Sequence, residues 1–157
     1  MLTGPNAQRA HRQALLTGRI VKFLGVAAVA AALTVAGLGS GVAQAESAPG
    51  CSSTVQIGST AYISYGGETI ASVKQFKGCN QNWAYTYVWD QFRAKHTNYT
   101  IDSYIDAGFD PLGYTVSAKG AHEMWSYGTN TLSICTQAAG AIWGDDLYGA
   151  AETSKRC

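Results

Sequence analysis

Asp102 and Asp106 stand four residues apart in IDSYIDAG, and a pair of carboxylates on one face is the equipment of glycoside hydrolysis. On a strand rising ~3.3 Å per residue they share a face about 13 Å apart. Glycosidase pairs sit roughly 5–9.5 Å apart, so this pair is too wide and needs a partner from another strand. General-base chemistry has two carriers beyond residue 45, His96 in AKHTN and His122 in AHEMW. His96 reads as a solvated turn residue. His122 precedes Glu123 but lacks the second histidine of the zinc-binding H-E-x-x-H pattern. No G-x-S-x-G nucleophile elbow occurs. Asp110-Pro111 and Asp145-Asp146 read as turns, where aspartate bonds its own backbone, and the D-x-D-x-D-G pattern of a calcium loop is missing. No catalytic residue, cofactor or metal is therefore assigned.

Aromatic chemistry is concentrated in NWAYTYVWD, residues 82–90. Trp83, Tyr85, Tyr87 and Trp89 occupy every second position, with Ala84, Thr86 and Val88 between them. The two-residue period of a strand puts all four rings on one face. Three placements are open. The row can face inward as core, or outward as a platform. It can also split, with Trp83 and Tyr85 inside and Tyr87 and Trp89 at the rim. The Ala84/Thr86/Val88 face matches the small aliphatic character of its expected neighbours. Tyrosine and tryptophan combine an apolar body with a polar handle, which suits a sugar's C–H faces and hydroxyls. The candidate ligand-binding set is thus Tyr87, Trp89, Asp90 and Gln91, the part of the row farthest from Cys79.

The elements that must hold these residues are short. Alternating, β-branched and aromatic segments predict strands at Ser59–Tyr65, Glu68–Phe76, Trp83–Phe92, Tyr99–Ile105, Tyr114–Ala118, Glu123–Tyr127, Thr131–Ala139 and Leu147–Thr153. VWDQFRAKH has a short helix as its alternative. The expected fold is all-β: a small antiparallel sandwich or barrel clipped by two disulfides. Cys51, Cys79, Cys135 and Cys157 make an even count without the C-x-x-C spacing of zinc sites. Four cysteines allow three pairings. Turn signals favour the sequential one: Gly144-Asp145-Asp146 lies midway between Cys135 and Cys157, and Gly66-Gly67 near the middle of Cys51 and Cys79. The first pair is about three residues off register, so it needs a bulge or an unpaired stretch near Gly58 or Gly78.

Cys79 to Ala84 reads Cys-x-x-x-Trp-Ala after a strand, with Cys51 upstream. This resembles small secreted actinobacterial β domains of unknown function over residues 51–90. Those domains carry a basic residue after Trp-Ala, where Tyr85 stands here. The resemblance implies secretion, β structure and a Cys51–Cys79 bridge, and it carries no known activity.

The first 45 residues read as a signal peptide: Arg9, Arg12, Arg19 and Lys22, an apolar run from Phe23 to Gly39, then Ala43-Gln44-Ala45. Residues 46–157 are then a single secreted β domain with seven basic and ten acidic side chains, a formal charge of −3. That balance gives no cationic footprint for nucleic acid, and no membrane contact is expected after cleavage. The function expected is extracellular binding, with a cell-surface or cell-wall polysaccharide or a secreted protein as partner. The rival readings are a small carboxylate hydrolase and a proteinaceous inhibitor presenting the loop AGFDPLGY, residues 107–114.

Overall fold

Each strand begins or ends where glycine, proline or a polar run interrupts the alternation. The structure, a computed structural model, describes residues 46–108 and 110–157, and the expected signal peptide lies outside the described residues. The strands are β1 (Val55–Gln56), β2 (Ala61–Tyr65), β3 (Glu68–Gly78), β4 (Gln81–Val88), β5 (Tyr99–Asp106), β6 (Leu112–Val116), β7 (Glu123–Trp125), β8 (Gln137–Gly144) and β9 (Tyr148–Glu152), with one helical turn, α1 (Asp90–Arg93), after β4. They form two antiparallel sheets. In one, β1 and β2 both pair with the same edge of β3, followed by β4 and β7; in the other the order is β6-β5-β8-β9. The architecture is a sandwich.

The core lies between the sheets. Ile63, Ile70, Ala71, Val73, Ala84 and Val88 from the first sheet meet Ile101, Ile105, Ala138 and Ile142 from the second. The inward face of β4 is thus Ala84, Thr86 and Val88. The sheets approach closely where Gly140 lies over β4: a Cβ there would fall 2.1 Å from Thr86 Oγ1 and 2.9 Å from Val73 Cγ2. Beside it the Thr86 and Ser103 hydroxyls, both buried, bond across the gap at 3.1 Å, satisfying two groups that would otherwise be costly to desolvate.

Both predicted disulfides are formed, Cys51–Cys79 and Cys135–Cys157. The second closes the β8–β9 hairpin beyond its last pairs: Thr136 bridges Arg156, and the two-residue turn is Asp145-Asp146. The first resolves the register problem in two steps. A bulge falls at Ile63/Ser64, and 57–60 leave the ladder at Gly58, whose φ is 84°. Cys79 and Asn80 form the β3–β4 turn with φ of 51° and 58°, the paired positive values of a tight hairpin.

Two predicted strands are corrected. Trp83–Phe92 stops at Val88, and the helical alternative holds for Asp90–Arg93. The turn tucks Phe92, 4% exposed, into the core against Tyr99, which continued extension would not do. Thr131–Ala139 is displaced to Gln137–Gly144. Thr131 and Thr136 instead accept hydrogen bonds from buried amides: Asn82 Nδ2 donates to both and Gln75 Nε2 to Thr136. Leu132 and Ile134 are left exposed. A side-chain network thus replaces the ladder that β-branched residues suggested.

Candidate functional site

The aromatic row lies on the outer face of the first sheet, and the split placement is the one observed. Cross-strand register sets it in rows: Phe76 beside Trp83; Lys74, Tyr85 and Trp125; then Tyr62, Ser72, Tyr87 and Glu123. One half is covered. Ala48 and Cys51 pack with Phe76, Trp83 and Tyr85 into a second apolar cluster, with Trp125 and the partly buried Tyr87 against it. The indole Nε1 of Trp83 donates to Gly78 O at 3.1 Å. The Tyr85 hydroxyl donates to Glu123 Oε2 at 2.7 Å. Burial first, and that carboxylate second, push the Tyr85 phenol far above its ordinary value.

The other half is open. Tyr62, Tyr87 and Trp89 border a shallow depression of about 330 Å³ whose polar lining is Glu46, Thr60, Ser72 and Lys74. Tyr62 meets Trp89 edge to face at 6.1 Å, and Lys74 Nζ pairs with Glu46 at 2.7 Å. Of the four residues expected to bind, Tyr87 and Trp89 line this depression. Asp90 stands just beyond it on α1, accepting from Arg93 Nη1 at 2.7 Å and the Tyr87 hydroxyl at 3.4 Å. Burial, then the Asp90 charge, raise the Tyr87 phenol. Gln91 is exposed and does not line the depression, because the helical turn points it elsewhere than strand continuation would.

A second concave face was not anticipated. On the outer side of the β6-β5-β8-β9 sheet, Trp143 pairs with Tyr148, Ala141 lies between Asp102 and Ala150, and Tyr104 pairs with Ala139. Two aromatic pairs therefore bracket a low row of alanines: Trp143–Tyr148 with centroids 4.4 Å apart, and Tyr104–Tyr114 at 6.0 Å. Asp102, 8% exposed, ties the brackets together. Its Oδ2 accepts from Trp143 Nε1 and from the Tyr114 hydroxyl, each at 2.8 Å. The cleft, about 260 Å³, is completed by Pro111 and Glu152. Its sequence signal was the shared parity of Asp102 with Tyr104 and of Trp143 with Ala139 and Ala141. QAAGAIW is poor in strand formers, so the expected strand Thr131–Ala139 ends before Trp143, which β8 in fact carries.

The catalytic motifs considered do not converge. His96 stacks on Phe92 at 4.3 Å, and exposed His122 lies 3.9 Å from Glu123. Among the described residues no group of three or more His, Cys, Asp or Glu is placed to hold a metal. The proposed inhibitor loop is shortened, since β6 takes up the chain from Leu112. No protein family, curated protein or solved structure matches the chain.

Proposed function

We propose that the protein is a secreted, disulfide-clipped binding module for a surface or cell-wall polysaccharide, engaged through the open half of the aromatic row. The observation that carries this reading is the depression where Tyr62, Tyr87 and Trp89 stand around Thr60, Ser72, Lys74 and Glu46. Aromatic faces cover the apolar C–H surface of a sugar ring. The surrounding hydroxyls, ammonium and carboxylate supply both donors and acceptors, which a neutral polyhydroxylated ligand requires. Export is supported by the basic, apolar and A-x-A pattern of residues 1–45 and by two disulfides, which persist in oxidising compartments. Among the described residues no helix is long and apolar enough to cross a membrane.

The test is retention of the exported protein on insoluble chitin, cellulose and purified cell-wall sacculi. Retention on at least one, lost in Trp89→Ala and Tyr62→Ala with unchanged melting, is expected. Failure to bind all three, or binding indifferent to both substitutions, would remove this reading. His96→Ala and His122→Ala are expected to leave binding intact.

A further inference from the structure

We propose that the cleft on the outer face of the β6-β5-β8-β9 sheet is a second, independent binding site, and that its ligand is an organic ammonium group. Four aromatic side chains, Tyr104, Tyr114, Trp143 and Tyr148, enclose it, and its charged lining consists of Asp102 and Glu152. No lysine or arginine lines it, in contrast to the depression on the opposite sheet with its Lys74–Glu46 pair. A cation over an aromatic face is attracted by the negative charge of the π surface, and a nearby carboxylate adds to that attraction.

The geometry is that of a prepared site. The floor is held low because Ala139, Ala141 and Ala150 are the outward residues between the two aromatic brackets. An aromatic or branched residue at those positions would fill the space. Asp102 is nine-tenths buried, and both of its hydrogen bonds go to Oδ2. Oδ1 has no partner among the described residues and is not sealed from solvent. The same two bonds fix the Trp143 and Tyr114 side chains, so little ordering is left to be done on binding. The Tyr114 phenol is raised, first by its bond to Asp102 and then by burial, as expected of a donor committed to a carboxylate.

The ammonium group can belong to a choline headgroup, a lysine side chain or a deacetylated amino sugar. Isothermal titration calorimetry of the full protein with choline, Nα-acetyl-lysine methylamide and glucosamine distinguishes these sources by which binds tightest. Each is paired with a neutral counterpart: 3,3-dimethylbutan-1-ol, the Nε-acetylated lysine derivative, and N-acetylglucosamine. The expected result is saturable binding of at least one cation, about tenfold or more tighter than its counterpart. It should weaken by a similar factor in Tyr148→Ala and Glu152→Gln, both at exposed positions, and vanish in Trp143→Ala. Trp89→Ala should not alter it, which separates this site from the polysaccharide reading. Equal binding of cation and neutral partner, no saturable binding of any cation, or binding unaffected by Trp143→Ala would each overturn the proposal.

Discussion

The two outer faces of the sandwich carry the same kinds of side chain and use them differently. On the first sheet, aromatics at every second position of β4 run from a covered end to an open end. Trp83 and Tyr85 are 7% and 3% exposed beneath Ala48 and Cys51, while Tyr87 and Trp89 remain partly accessible. On the second sheet Trp143 and Tyr148 are 47% and 58% exposed. The polar company differs as well, with a paired lysine and glutamate on one side and carboxylates alone on the other. An aromatic row therefore has no intrinsic role. A few residues of overlying chain, pinned by a disulfide, make one end structural and leave the other available.

Substitutions along and across these faces should affect them unequally. The largest effect is expected at the covered end. Trp83→Ala should cost ~3–5 kcal/mol in denaturant unfolding, whereas Trp89→Ala and Tyr148→Ala should stay within about 1 kcal/mol. Equal losses at Trp83 and Trp89 would mean that the whole row is core.

Opening each disulfide sharpens the same contrast. The two disulfides close loops spanning 28 and 22 residues, so Cys51→Ser/Cys79→Ser and Cys135→Ser/Cys157→Ser should each lose ~3 kcal/mol in the chain-entropy account. Only the first should release the cover over Trp83. Iodide quenching of tryptophan fluorescence should therefore rise in the native state of that variant and not of the other.

Gly140→Ala addresses the gap between the faces. Its new methyl would meet Thr86 and Val73 inside the van der Waals limit, and ~1–3 kcal/mol of destabilisation is expected. No measurable loss would show that the sheets can separate without cost.

The smallest effects are alkaline. Tyr85 and Tyr114 are both raised from 10.0, the first chiefly by burial and the second chiefly by its bond to Asp102. A folded phenol that ionises later than the unfolded one lends its stability below pH 10, and that contribution fades as pH climbs above 10. Stability should fall there, and less steeply in Tyr85→Phe. Asp102→Asn should move the Tyr114 ionisation seen by ultraviolet absorbance to lower pH and leave Tyr85 unmoved.

Much of this arrangement was legible in the chain. Alternation in AYISYGGETIASVKQF and NWAYTYV set the strands β2 to β4, because the two-residue period of a pleated strand is written directly in residue order. Gly66-Gly67 and Asp145-Asp146 marked the hairpins, and with them the disulfide pairing, because the chain reverses sharply only in a few conformations. The small face of β4 matched its neighbours, yet residue order left open whether that face or the aromatic row turned inward. The sequence was silent, or misleading, wherever a residue's partner is distant. TLSICT looks like a strand, yet its threonines are claimed by Gln75 and Asn82 from another part of the chain. Sequence sets one end of the aromatic row beside Cys79, but only the return of Ala48 and Cys51 over that end covers it. Asp102, Tyr114 and Trp143 have nothing in their local spacing to join them. Sheet register brings them to one carboxylate oxygen. Local periodicity is a property of neighbouring residues and survives in the sequence; coverage and convergence are properties of pairs far apart along the chain, and they exist only once the two sheets have closed.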